Sequence, residues 1–325
     1  MVKMSTEKEP HGKRKMTRKE FLTESTSGLI GLFLATKTSS LQAGSDKPAS
    51  KSDAPFRTLG KTGVNVSPMG FGASRTMEPA LLKMALDKGI NFIDTGRSYA
   101  RGQNEVMVGD VVKGIRNKLI IQSKVKVRIK KTGDALHSPE MRQKISDLME
   151  KSLSESLKAL QTDYIDVLLL HGADSVEMLC HETVLDFFSR AKKRGQIRAC
   201  GFSSHKNQVA LLQAAHQNGF YDVAMVPFNH KGSYIHSRAG YYTEWDQAAL
   251  IQQCLQAEKK GMGIIAMKTC SAGPYSADSK TAPTFPAGLR WILNHSFINT
   301  MAVAMANVKE IKENLLAISL PVAEG

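Results

Sequence analysis

The chain has 325 residues, of which 42% are hydrophobic and 23% charged, with a formal net charge of +14. This composition excludes a generally disordered chain, and the length suits either two domains of roughly 150 residues or a single α/β barrel of about 250. The positive charge favours anionic partners, but the basic residues are scattered and no nucleic-acid motif accompanies them, so a nucleic-acid partner is not expected.

Residues 1–55 are rich in Lys, Ser and Thr and hold one apolar patch, "GLIGLFLA", at 28–35. A bilayer needs about 20 apolar residues, so stable membrane insertion is not expected. With the basic "KRKMTRKEFL" before it and the small, polar "TSSLQAGSDKPASKSDAP" after it, the patch reads as an export signal. "TRKEFL" resembles the twin-arginine motif, with Lys19 in place of the second arginine. The expectation is an exported, periplasmic protein, the alternative a cytoplasmic one with a basic arm.

Residues 56–325 read as one domain. "FRTLGKTGVNV" predicts a hairpin that closes the floor of a barrel. Eight short apolar runs follow in chain order: "SPMGFG", "NFIDTG", "KLIIQSK", "YIDVLLLHG", "IRACGFSS", "YDVAMVPFN", "MGIIAMKT" and "TMAVAMA". Helical stretches lie between them. From Pro139 to Leu160, apolar residues recur at three- and four-residue steps, from Met141 and Ile145 to Leu157 and Leu160, which predicts a core-facing helix. Gly89, Gly195, Gly219 and Gly261 each end a helical stretch before a strand. Strands apolar on both faces and alternating with helices imply a parallel sheet covered all round, and eight such units fit a (β/α)8 TIM barrel. The four cysteines, Cys180, Cys200, Cys254 and Cys270, lack metal-type spacing and read as core or strand-end thiols, so no metal is expected.

In such a barrel the active site lies at the carboxyl ends of the strands. There the second strand ends on Asp94, the third on Lys124, the fourth on His171, and the fifth on Ser203 and Ser204. Each alone has an ordinary structural explanation, since strand ends are commonly polar. Together they suit one chemistry. A phenol, with a reference pKa of about 10, is a poor acid at neutral pH unless a cation stabilises its phenolate. Tyr99 supplies the phenol, Lys124 the cation, Asp94 a brace for the lysine, and His171 a group to orient a substrate oxygen. Tyr234, His236, Tyr241, Tyr242 and Trp245, after the sixth strand, read as packing their loop onto the barrel, with a substrate-facing role as the alternative.

The segments "RTLGKTGVNVSPMGFG", "GINFIDTGRSYARGQNE", "IIQSKV", "SLSESLKALQTDYIDVLLLHG", "RGQIRACGFSSH", "LRWIL" and "VKEIKENL" resemble the aldo-keto reductase family in order and spacing. The resemblance covers residues 56 to 318. It implies a (β/α)8 barrel that binds NADP(H), or alternatively NAD(H), and interconverts a small carbonyl compound or sugar with an alcohol. The family's catalytic tetrad falls on Asp94, Tyr99, Lys124 and His171. Its cofactor-binding positions fall on Ser203, Ser204, Glu313 and Asn314, and Lys268, at the end of the seventh strand, is a candidate pyrophosphate or substrate contact, with a solvated loop lysine as the alternative. Five departures accompany these matches: Ser204 replaces an asparagine, Met225 a glutamine, Ala304 and Met305 the lysine and serine of many members, and Glu310 an arginine that often grips the 2'-phosphate. A carboxylate at 310 would repel that phosphate, so a weak preference for NADPH is expected. The alternative to an enzyme is a non-catalytic nucleotide-binding barrel serving as a redox sensor or complex subunit.

Overall fold

The computed structural model describes residues 56–129, 131–236, 240–276 and 284–319. The expected export signal falls on residues 1–55, outside the described residues. Eight parallel strands close into a barrel in the order β3 (Met69–Gly72), β4 (Phe92–Asp94), β5 (Ile120–Val125), β6 (Ile165–His171), β7 (Ile197–Ser203), β8 (Val223–Pro227), β11 (Gly263–Met267) and β12 (Ile298–Ala304). The (β/α)8 expectation is met, and so is the amino-terminal hairpin. Its strands β1 (Arg57–Thr58) and β2 (Asn65–Val66) pair antiparallel. Leu59, Val64 and Val66 enter the same buried cluster as Phe92, Ile120 and Val167, and so plug the barrel interior. Buried Arg57 fastens the hairpin by donating to the carbonyls of Ile298 and Leu293.

The helices form the outer layer: α1 (Pro79–Asp87), α2 (Gln103–Val112), α3 (Pro139–Leu160), α4 (Val176–Leu179), α5 (Glu182–Lys193), α6 (Gln208–Asn218), α7 (Gln247–Lys259), α8 (Phe285–Leu293) and α9 (Val308–Ser319). Helix α3 has the bounds that its periodicity predicts. Ser138 accepts from the Met141 amide as its cap, Pro139 opens it, and Met141, Ile145, Met149, Leu153 and Leu160 are buried. The four glycines expected to end helices all have positive φ. A second hairpin, β9 (Ser233–Ile235) with β10 (Tyr242–Glu244), follows β8 and has no counterpart in the sequence reading.

The two-residue period of a strand decides what faces the barrel axis. On β5, Ile120 joins the inner cluster while Ile121 and Val125 join the outer one beneath the helices. Gln122 and Lys124 therefore point inward. The same alternation turns Asp94 on β4 and His171 on β6 toward the axis. Glycines make room for the larger inward side chains: a Cβ on Gly70 would lie 2.2 Å from the Phe92 ring, and one on Gly201 would lie 2.2 Å from the Val223 carbonyl oxygen.

Asp166, near the amino end of β6, ties three parts of the barrel's other rim together. Fully buried, its carboxylate accepts from Arg116 at 2.7 Å, from Arg198 at 2.8 Å and from the Ile121 amide at 2.9 Å. Asp166→Ala strands a partly buried guanidinium and an amide. It should cost about 3 kcal/mol and lower the melting temperature by roughly 6 to 12 °C in calorimetry. A drop below about 2 °C would mean that this carboxylate does not bind the rim together.

Candidate active site

Lys124 is almost wholly buried at the carboxyl-end rim, with 1% of its surface exposed. Its ammonium donates to Asp94 Oδ1 and, at 2.7 Å, to the Thr95 carbonyl, and lies 4.7 Å from the centroid of the Tyr99 ring. Burial alone would lower its pKa. Asp94 and then Tyr99 outweigh the burial, so Lys124 is held above the ordinary lysine value and stays charged. Asp94 Oδ1 also accepts from Gln122 Nε2 at 2.7 Å. That amide lies 3.3 Å from the Met225 sulfur, which accounts for the methionine pointing into the barrel.

Tyr99 sits on a short turn, Tyr99–Gly102, just past β4. The next two residues, Ala100 and Arg101, are in the left-handed region at φ 47° and 54°, a conformation that costs an L-residue roughly 1 to 2 kcal/mol. The surroundings enforce it. Thr95 donates to Asn104 Oδ1 at 2.7 Å, and Asn104 Nδ2 donates to the carbonyls of Ala73 and Thr76, both at 3.0 Å. Arg97 pairs with buried Glu105 at 2.8 Å, and Ser123, on the outer face of β5, donates to the same carboxylate at 2.5 Å. Burial raises the Glu105 pKa, against the opposing pull of Ser123, Ser156, Arg97 and Lys124. Gly102 suits this turn because its φ of 90° is strained for any residue with a side chain, and a Cβ there would also displace the Arg97 guanidinium.

His171 meets the Tyr99 ring edge to face, with centroids 6.0 Å apart, and its Nδ1 lies 3.2 Å from the Ser98 hydroxyl. Burial first, and then the positive charges of Lys124 and Lys126, push its pKa well below 6.5. It is neutral at pH 7. His205 follows at a centroid distance of 6.4 Å, with its pKa pushed down to about 3 by burial and then by Lys268 and His236. The four tetrad positions therefore converge at the carboxyl-end rim, as the sequence reading expects. Ser98, Gln122 and Glu105 are additional members that sequence reasoning missed. For Gln122 the alternation with Lys124 was a usable signal, whereas Ser98 and Glu105 act across contacts that spacing does not specify.

The cofactor-side positions are spread around the rim. Ser203 is buried, and its hydroxyl accepts from the Gly172 amide at 3.4 Å. Ser204 is tied into its own turn by Lys206 and Asp174. Nearby, the Gln208 Nε2 donor at the start of α6 is buried without a protein partner. Lys268, at the end of β11, has a left-handed backbone at φ 59°, and its ammonium stands 5.1 Å from the Tyr234 ring centroid. Burial and then Arg75 lower its pKa, so two cations approach each other there. Glu313 and Asn314 lie on α9, apart from the tetrad, where Glu313 borders an open hollow with Lys309 and Lys312. Glu310 is already engaged: it accepts from the Ala306 amide and from Asn307 Nδ2 and so closes the amino end of α9. The aromatic loop packs inward in part. Tyr234 is buried against Tyr241 and Trp245, and Tyr242 remains exposed.

The Aldo/keto reductase family model matches residues 69–287. An uncharacterized oxidoreductase, YqkF, of Bacillus subtilis is 32% identical over 158 residues, 47% of this chain and 50% of that protein's length. L-galactose dehydrogenase of Arabidopsis thaliana is 25% identical over 304 residues, 81% of this chain and 88% of the relative. A solved aldo/keto reductase from Klebsiella pneumoniae, in complex with NADP and acetate, superposes with a TM-score of 0.60 at 19% identity, covering 82% of this chain and 91% of that one. At that identity the likeness speaks for the fold.

The neutral histidines link this site to pH. An unfolded chain protonates them near 6.5, while the fold keeps them neutral, His205 down to about pH 3. Their folded values are depressed, so stability should fall as pH drops below 6.5, by about 1 kcal/mol per histidine at pH 5.5. Melts at pH 7.5 and 5.5 should show a smaller acid loss for His205→Gln than for the wild type. Equal losses would contradict the burial of His205 as a neutral ring.

Proposed function

The chain belongs to the aldo/keto reductase family, and from the geometry of its rim we propose that it is an NAD(P)-dependent oxidoreductase interconverting a carbonyl compound and an alcohol, with Tyr99 as the proton donor and acceptor. The observation that carries this reading is the buried Lys124 ammonium, clamped by Asp94 and the Thr95 carbonyl against the Tyr99 ring. A fixed cation beside a phenol stabilises the phenolate, and thereby lets the hydroxyl release a proton near neutrality. A non-catalytic, nucleotide-binding barrel is the less favoured reading, because binding alone does not call for a buried cation set beside the Tyr99 ring.

The chain's polar groups fit a nicotinamide dinucleotide. Gln208 Nε2, a buried donor without a partner, and the Ser203–Ser204 turn suit the carboxamide. Arg75 and Lys268 suit the pyrophosphate, because each gains from an anion placed between them. Glu313 and Asn314 would meet the adenosine. When bound, this cofactor supplies the hydride chemistry.

Tyr99 Oη gives its proton to the substrate carbonyl oxygen during reduction and recovers one from the alcohol during oxidation. Lys124 holds the phenolate between those events, and Asp94 holds Lys124. Gln122 fixes the Asp94 carboxylate from below. His171 is neutral, with Nδ1 3.2 Å from the Ser98 hydroxyl; in the tautomer in which Ser98 donates there, Nε2 carries the proton and serves as the donor to the same carbonyl oxygen. The Asn104 and Arg97–Glu105 contacts keep the Tyr99 turn in its left-handed geometry and so aim the hydroxyl.

Tyr99→Phe keeps the ring but removes the proton. Turnover should fall about 10²- to 10⁴-fold, while cofactor affinity, read by fluorescence titration, should hold. Lys124→Met should cost a comparable factor, and the double variant no more than the larger single loss, because the lysine acts through the tyrosine. Near-wild-type turnover in Tyr99→Phe would remove the assigned role.

Glu310 leads to a cofactor test. With a carboxylate closing the amino end of α9, the wild type should discriminate for NADPH over NADH by less than about a hundredfold, and Glu310→Arg should shift the ratio of the two dissociation constants toward NADPH. A wild-type preference above that ratio would place the 2'-phosphate on other residues.

A further inference from the structure

The chain that leaves the site past Lys124 continues the strand's alternation beyond β5. In "KVKVRI", residues 124–129, Val125 belongs to the outer core cluster, and Val127 and Ile129 pack against it. Lys124, Lys126 and Arg128 occupy the opposite, mouth-facing positions. They form a row of three cations running outward from the tetrad, with alternate positions roughly 7 Å apart along an extended chain. Lys124 has its carboxylate in Asp94. Lys126 and Arg128 are exposed, and neither makes an ion pair with a described carboxylate.

Their place in the barrel matters. Arg75 and Lys268, assigned above to the cofactor, follow β3 and β11, whereas Lys126 and Arg128 follow β5, beyond β4 and beside β6. The pairing of Lys124 with Leu169 and of Val125 with Leu170 sets Lys126 level with His171. The positive field of the row reaches the reacting centre: Lys126 and Arg128 both help to depress His171. The carboxylate that acts on Lys126 is Asp174, which also accepts from the Ser204 hydroxyl and the His205 amide. Mutual repulsion in such a row is relieved by an anion bound across it.

We propose that the substrate is a carbonyl compound that also bears an anionic group, a carboxylate or phosphate, and that Lys126 and Arg128 seat this group while the carbonyl lies at Tyr99 and His171. The proposal rests on the carbonyl-reducing reading above and adds the substrate class to it. Lys126 takes an anion a few bonds from the carbonyl, and Arg128, with its planar donors, extends the seat outward.

The test compares 4-carboxybenzaldehyde with 4-carbamoylbenzaldehyde, which share ring and aldehyde and differ by one charge. The wild type should favour the carboxylate in kcat/KM by about tenfold, and the preference should shrink with added salt. In Lys126→Gln/Arg128→Gln the ratio should approach one. Because it is taken within each protein, a general loss of fold or turnover cancels. A wild-type ratio near one, or a preference that survives in the double variant, would overturn the proposal. If the wild type reduces neither aldehyde, the oxidoreductase reading fails separately. Calorimetric titration with the unreactive terephthalamate and terephthalamide then decides the anion seat: preference for the charged compound, lost in the variant, supports it, and equal binding overturns it.

Discussion

A lysine ammonium almost wholly removed from water stands at the centre of this barrel's rim, and much of the local structure serves to make that burial tolerable. Burying an unpaired charge costs several kcal/mol, so Lys124 requires an anion and further acceptors within reach. Asp94 and the Thr95 carbonyl provide them, and Gln122 occupies the remaining side of the carboxylate. Asp94 and Lys124 come from neighbouring parallel strands whose register sets Asp94 opposite Gln122, two residues before Lys124, within reach of the lysine side chain. The strand pairing thus sets the charge pair, and the charge pair in turn prepares the phenol.

The rim is braced from outside the barrel as well as from within. Ser123, one residue before Lys124, faces outward to Glu105 on α2, and Glu105 holds Arg97 beside the tight turn after Tyr99. Adjacent residues on one strand therefore reach both supports of the site, one through the axis and the other through the helix layer. This double attachment explains how two successive non-glycine residues remain in the left-handed region. Such strain persists only where the surroundings over-determine it, and it concentrates where a side chain must be aimed.

Charge is distributed unevenly over the mouth. One arc, after β3 and β11, brings Arg75 and Lys268 together, and the other, after β5, carries Lys126 and Arg128. The neutral histidines His171 and His205 lie near both. Their neutrality follows from those surroundings, because each added cation makes a second charge on the ring more costly. Farther round, the Glu310 carboxylate accepts from the Ala306 amide just before α9, and the Glu310 amide donates to Asn307 Oδ1, so side chains already close the entry to that helix.

The barrel was legible in the sequence because its signals are local. Apolar runs of strand length, a three- and four-residue period from Met141 to Leu160, and glycines at helix ends are each set by backbone geometry within a few residues. The ends of those apolar runs placed Asp94, Lys124 and His171 on one rim, and the family's motifs brought Tyr99 to join them. The β9–β10 hairpin was not legible, since strands of three residues are too short to show a period and the segment reads as an aromatic loop. Nor were the contacts that complete the site. That Gln122 steadies Asp94, that Ser98 meets His171, that Glu105 braces the Tyr99 turn, and that Glu310 spends its carboxylate on its own helix are matters of distance between residues far apart in the chain or free to choose among partners. Sequence by itself determined which polar side chains end the strands, because the end of an apolar run is a property of each strand alone. Only the closed tertiary structure decided which of them touch, because that depends on the register between strands and on helices packed from outside.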